Sequence, residues 1–347
     1  MTAVDVKTPR VESPGRSFGG KVADLLRKRE TSILAAFLVM TAVTATVNPD
    51  FVFSPDGWRN LLLNPAIYLI LAVGEGIVII TKSVDLSVGS VMGLTAFLVG
   101  STYIAWPQMP AVVAFVVGVG FGALLGLFNG GLVAVAKVPG MVITLGTMYV
   151  FRGINIMWAG SSRINASQLG PDFLAFGNAR WVGIPALTIL AVVVLVIAAW
   201  YLRNTRSGRE LYAIGSAPQA AELYGLPARR RMLVAFVISG AMAGLAGTMF
   251  AARYGTIASN AGTGYEMQAI GAAVIGGIAI VGGSGTVIGA AFGAFLLATI
   301  NSALPVLGIQ SFWQRAVVGA LIIGAIILDR VLAARQRRRL IAERMAQ

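Results

Sequence analysis

Long apolar runs recur along this chain, and nearly all of its Lys, Arg, Asp and Glu residues are gathered between them. A helix needs about 20 consecutive apolar residues to cross the hydrocarbon of a bilayer. Ten stretches approach that length, at 32–48, 60–80, 86–105, 110–136, 139–158, 183–202, 231–252, 266–282, 286–304 and 313–331. Only 12% of the 347 residues are charged, roughly half the share of a soluble domain, so a polar shell cannot cover so many apolar helices in water. The 42 glycines would weaken soluble helices but let helices in lipid approach closely. The expected fold class is all-α, a polytopic transmembrane bundle of about ten spans. Glycine and polar residues interrupt the third, eighth and ninth runs, as in broken helices beside a pathway. The first run lacks a small-residue cleavage site after it and reads as an uncleaved span.

Basic residues orient such a bundle, because Lys and Arg accumulate on the cytoplasmic side. Seven precede the first run, six lie at 203–231 and six in the tail from Arg330 onward. Ten spans place all three groups on one side with Lys82 and Lys137, leaving Arg59, Arg152, Arg163, Arg180, Arg253 and Arg315 opposite. Both termini are therefore expected in the cytoplasm. The chain divides into a basic segment 1–31, a transmembrane domain 32–331 containing a cytoplasmic loop at 204–228, and a basic tail 332–347. The net charge of +13 then reports topology and contact with membrane lipid, and no nucleic acid is expected as a partner. A weak repeat adds that Gly89-Ser90-Val91-Met92-Gly93 recurs as Gly285-Thr286-Val287-Ile288-Gly289, consistent with two related halves.

The chain has no cysteine and no histidine, which removes thiolate chemistry, the usual proton relay and the commonest transition-metal ligand. It also lacks a G-x-x-x-x-G-K-[ST] phosphate loop. Catalytic residues, a metal and a cofactor are all expected to be absent.

Within the 203–231 loop the segment SAPQAAELYGL carries helix punctuation. Ser216 is a good N-cap with Gln219 at capping-box spacing, Pro218 suits the first turn, and Gly225 suits a left-handed residue after the last. The spacing predicts a helix over 217–224 with a small apolar face of Ala220, Leu223 and Tyr224. Helices this short are marginal alone, so it packs on something: either the protein's own inner surface or a partner's groove.

The stretch GRELYAIGSAPQAAELYGL resembles the cytoplasmic coupling segment of the ribose/xylose/arabinose-type permeases of ABC importers. The matching positions are Gly208, Arg209, Ala213, Ile214, Gly215, Ala220, Ala221 and Gly225. Three further segments resemble the same family in the same order: IITKSVDLSVGSVMGLTA, with Lys82 and Ser83 in place of two usual glycines; VPGMVITLGTMYVFRGI; and AAVIGGIAIVGGSGTVIGAAFGA. The resemblance spans about residues 60 to 330. It implies a permease that imports a small sugar, such as a ribose-like pentose or a rhamnose-like deoxyhexose, across the bacterial cytoplasmic membrane. It also implies cytoplasmic ATP-binding subunits, an extracytoplasmic sugar-binding protein and a second permease chain, most simply an identical one. The coupling residues are then Gly208, Arg209, Gly215, Gln219, Ala220, Ala221, Leu223 and Gly225.

Polar residues in apolar spans are the candidates for a translocation pathway: Glu75, Asp85, Ser87, Asn129, Gln268 and Asn301. Each has a second reading. Asp85 reads equally as a solvated boundary residue or an N-cap for a helix starting at Leu86, and the amides as interhelical hydrogen-bonding groups. Trp58, Trp181, Trp200, Tyr201 and Trp313 fit an interfacial belt. The alternative function is an ion-coupled secondary transporter of a small polar solute, which would want several embedded carboxylates; only Glu75, and marginally Asp85 and Glu266, are offered.

Overall fold

A computed structural model describes residues 29–136, 138–310, 312–324 and 327. Most of the basic segment 1–31 and the whole tail 332–347 lie outside the described residues, as does the end of the tenth run. The fold is mainly helical: α1 (Arg29–Val47), α2 (Asp50–Phe53), α3 (Pro55–Ile80), α4 (Val88–Ala105), α5 (Ala111–Ala136), α6 (Gly140–Ala159), α7 (Pro171–Asn178), α8 (Ala186–Asn204), α9 (Arg206–Ser216), α10 (Pro218–Leu223), α11 (Ala228–Tyr254), α12 (Tyr265–Ile275) and α13 (Val287–Val306). A helix at Phe312–Gly324, α14, follows. Seven of these, α3 to α6, α8, α11 and α13, are long and apolar enough to cross a membrane.

Helix α3 occupies the centre, packing on α11, α13, α12 and α8. Its Ile67, Ile70, Leu71, Val73 and Ile77 are buried in one core with Met92, Phe236, Met249 and Leu297. The closest pairing joins α5 to α11, where a Cβ on Gly122 or Gly126 would stand 2.2 or 2.3 Å from the carbonyl oxygen of Gly240 or Phe236. Small residues at four-residue spacing give this backbone contact, which substitutes packing for the hydrophobic drive that lipid does not supply. Exposed Val192, Val193, Val196, Ile197 and Trp200 form one stripe on α8, the face such a helix turns to lipid.

Several elements depart from the sequence expectation. The eighth run, expected to reach residue 282, is helical only to Ile275. Gly277, Gly282, Gly283 and Gly285 then all take positive φ, which no helix contains. A two-residue hairpin, β1 (Arg180–Trp181) with β2 (Ile184–Pro185), interrupts the all-helical pattern. Its turn residues Val182 and Gly183 both have positive φ, 52° and 80°, as this tight hairpin turn demands. The loop at 204–228 is more ordered than expected, with the whole of α9 preceding the short helix.

Candidate functional site

Polar groups gather in three places: a cavity beside the middle of α3, a buried knot at that helix's C-terminal end, and the α9–α10 segment beside that knot.

The cavity encloses about 880 Å³ between α3, α12, α13 and α14, with Tyr68, Tyr265, Glu266, Gln268, Asn301 and Arg315 in its wall. A smaller cavity of about 180 Å³ adjoins it through Tyr68, Tyr265 and Asn301. The rings of Tyr68 and Tyr265 stack with centroids 5.1 Å apart. Gln268 Oε1 and Asn301 Oδ1 are buried without a hydrogen-bond partner. Aromatic faces for C–H surface beside open amide groups suit a small polyhydroxylated solute, because such pockets pair apolar walls with a few placed polar groups. Gln268 and Asn301, singled out in the sequence, do meet here. Tyr68 and Tyr265 were missed; the only signal was that Tyr68 lies mid-span, too deep for an interfacial anchor.

The other four pathway candidates line none of this. Glu75, Asp85, Ser87 and Asn129 are all at most 1% exposed and knit the irregular segment 81–87 into the bundle. Its backbone has left α3 and not yet entered α4, so its buried N–H groups need side-chain acceptors. The Asp85 N–H donates to Glu75 Oε1 at 3.1 Å and the Leu86 N–H to Thr144 Oγ1 at 3.1 Å. Asp85 Oδ1 accepts from the Ser87 N–H at 3.0 Å and the Ser87 hydroxyl at 2.7 Å. Its Oδ2 accepts from the Ser239 hydroxyl at 3.3 Å, and Asn129 Nδ2 donates to Ser87 Oγ at 2.7 Å. Asp85 is therefore not a solvated boundary residue, nor does it cap a helix at Leu86: α4 begins at Val88. Sequence reading placed it at the edge because it follows Lys82 so closely; the chain instead turns inward, with Lys82 exposed at φ 67°.

The α9–α10 segment abuts this knot. Gly215 packs so that a Cβ would stand 1.8 Å from the Ile80 carbonyl oxygen and 2.6 Å from the Gly283 nitrogen. Only glycine fits there. The Gly283 N–H donates to the Ile80 carbonyl at 2.9 Å, and the Tyr212 hydroxyl donates to the Gly285 carbonyl at 3.0 Å. The end of α9 thus touches both irregular segments, the one after α3 and the one after α12. Gly208 likewise allows α9 to press on Tyr201 and Leu202 of α8.

The capping box expected at Ser216 is absent. Ser216 ends α9, and its hydroxyl donates to the Tyr212 carbonyl at 2.8 Å. Ala217 precedes α10 with no side-chain cap, and α10 runs only from Pro218 to Leu223. Gly225 does adopt the left-handed conformation, φ 72°, and the Leu226 N–H closes the turn on the Ala221 carbonyl at 2.9 Å. The expected apolar face also divides. Ala221 is buried and Ala220 half-buried, while Leu223 and Tyr224 are 88% and 87% exposed. Arg209 and Gln219 are exposed as well.

Sequence reading missed Glu210, which is 7% exposed and fastens α9 to α11. Its carboxylate accepts from Arg231 Nε at 2.5 Å and Arg206 Nε at 2.7 Å. Those two bonds, Arg231's first, hold its carboxyl below the usual carboxylate range. Arg206 and Arg231 entered the sequence reading only as topology charges.

A multi-pass helical bundle with a solute-sized cavity and an exposed apolar helix tip is an arrangement that suits a membrane transport permease. The family model for the permease component of the branched-chain amino acid transport system matches residues 58–326, and the chain belongs to this family of ABC-importer permeases. Among its relatives are autoinducer 2 import system permease proteins LsrC. That of Enterobacter sp. (strain 638) is 35% identical over 88% of both chains. That of Shigella flexneri is 38% identical over 87% of this chain and 86% of its own, and that of Escherichia coli (strain K12 / DH10B) 37% over the same shares. No solved structure matches the chain.

Proposed function

We propose that the chain is the membrane-spanning subunit of an ATP-driven importer that carries a small polyhydroxylated solute into the cytoplasm. The cargo is a ribose-like pentose, a rhamnose-like deoxyhexose or the autoinducer 2 for which its relatives are named. In this reading the transmembrane domain is 32–331 with ten spans, flanked by cytoplasmic segments 1–31 and 332–347. The two halves are related, and two identical chains form the pathway between them. ATP hydrolysis belongs to separate subunits, and a sugar-binding protein delivers cargo from outside.

The observation that carries the proposal is the Leu223–Tyr224 tip. Two large apolar side chains stand almost fully exposed at the end of a segment wedged through Gly215 against the backbone at Ile80 and Gly283. A partner's groove would cover the tip, and its motion would reach both irregular segments. Two of the three carboxylates the ion-coupled alternative would use are engaged: Glu266 pairs with Arg152 at 3.3 Å, and Asp85 accepts three hydrogen bonds, while Glu75 accepts only the Asp85 N–H.

Co-purification from detergent tests this. An ATP-binding subunit should accompany the wild-type permease and be lost from a Leu223→Arg/Tyr224→Arg variant that still inserts. Ala221→Arg is unsuitable because Ala221 is buried. If no such subunit accompanies the wild-type chain, and an uncoupler stops uptake while ATP stays high, the importer reading fails.

A further inference from the structure

A second cavity, outside the pathway, opens between the end of α8, α9 and the start of α13 and has a volume of about 630 Å³. Leu202, Val287, Ile288 and Trp200 give it a mainly apolar lining, to which Arg203 and Arg209 also contribute. Both arginines are exposed, and neither pairs with a carboxylate among the described residues; Arg209 Nη1 reaches only the Asn204 carbonyl, at 3.1 Å. The nearby arginines Arg206 and Arg231 differ, being engaged by Glu210. The N-cap Thr286 and the first-turn residues Val287 and Ile288 of α13 line the same wall, adding the positive end of a 20-residue helix. From the apolar lining the exposed stripe of α8, Trp200, Ile197, Val196 and Val193, leads away along the helix.

We propose that this cavity binds one anionic phospholipid of the cytoplasmic leaflet, its phosphate between Arg203 and Arg209 and its acyl chains along Ile288 and the α8 stripe. Unpaired arginines at a helix N-terminus supply the charge complement, and their contiguity with a lipid-facing stripe selects a lipid over a soluble anion. The site rests on the cytoplasmic placement of the α8–α9 junction stated above.

Native mass spectrometry of the full-length permease, titrated with phosphatidylglycerol, phosphatidylcholine of the same chains and inorganic phosphate, tests the site. One phosphatidylglycerol should bind in preference to phosphatidylcholine, and phosphate should not displace it. The Arg203→Gln/Arg209→Gln variant should bind it roughly thirtyfold more weakly, while Arg203→Lys/Arg209→Lys retains most of the preference. Equal binding of both lipids, no change in the glutamine variant, or displacement by phosphate overturns the proposal. Because the chain has no cysteine, Leu223→Cys labelled by an impermeant reagent reports orientation separately. Labelling only from outside would sink the cytoplasmic placement and the lipid site together. Labelling only from the cytoplasm, without a lipid preference, sinks the lipid site alone.

Discussion

The cavity beside the middle of the central helix and the knot at that helix's C-terminal end are built from the same materials, carboxylates, amides and hydroxyls, and use them in different ways. In the knot, the side chains of Glu75 and Thr144 satisfy backbone N–H groups of a segment that is neither helix nor strand, and the unpartnered Glu75 Oε2 and Asn129 Oδ1 line neither solute cavity. In the cavity, Gln268 and Asn301 keep oxygens free beside stacked tyrosines. A polar residue inside an apolar span is costly in either place. What separates a structural residue from a candidate solute contact is whether it faces irregular backbone or lines a cavity.

The sharpest way to break that comparison is at Asp85. Asp85→Ala strands the Ser87 N–H and the hydroxyls of Ser87 and Ser239, and each buried group left unsatisfied costs about 1–3 kcal/mol. The expected loss is roughly 3 kcal/mol or more, seen as a large fall in thermal midpoint in detergent. A folded Asp85→Ala permease that fails only in transport would return Asp85 to the pathway.

Gln268→Ala and Asn301→Ala should do the reverse. Each removes a group whose oxygen bonds nothing in the protein, so stability should stay within about 0.5 kcal/mol. Uptake should weaken about tenfold, near 1.4 kcal/mol, as a higher half-saturation concentration in a transport assay. Destabilisation without an uptake defect would make these amides packing residues.

The helical class was legible because apolar runs and clustered arginines follow directly from the bilayer's thickness and field. The cavity was half legible: Gln268 and Asn301 stand out against apolar neighbours, but Tyr68 and Tyr265 look like any membrane tyrosine until packing stacks them. The knot was misread because its members are scattered over five elements and its logic is a need of the backbone, which composition does not display. The ordered α9–α10 segment was picked out through Gly215 and Gly225. Its capping was wrong because Ser216 bonds back into α9, a competition open to any serine near a helix end.

Smaller in effect, acid sharpens the boundary between the knot and the α9–α10 segment. The Arg231 and Arg206 bonds lower the folded-state proton affinity of Glu210. Its contribution is therefore complete above the ordinary carboxylate range and fades as pH falls through that range toward the folded value. The thermal-midpoint difference between wild type and Glu210→Gln should shrink on acidification from neutral pH. A constant difference would mean that the ion pairs do not hold α9 to α11.

The smallest effect expected is a gain, at Lys82. This residue follows the end of α3 in the left-handed conformation, φ 67°, where a side chain costs about 1–2 kcal/mol and glycine is the usual occupant. Lys82→Gly relieves that strain but loosens the unfolded chain by roughly 0.5–1 kcal/mol, so the net gain should be about 0.5 kcal/mol. A slightly raised thermal midpoint with unchanged uptake would mean that the knot tolerates a strained residue at its rim while its backbone N–H groups stay bonded. A loss of stability would mean that the Lys82 side chain, whose Cβ lies beside Gly282, helps hold the two irregular segments together and belongs to the knot itself.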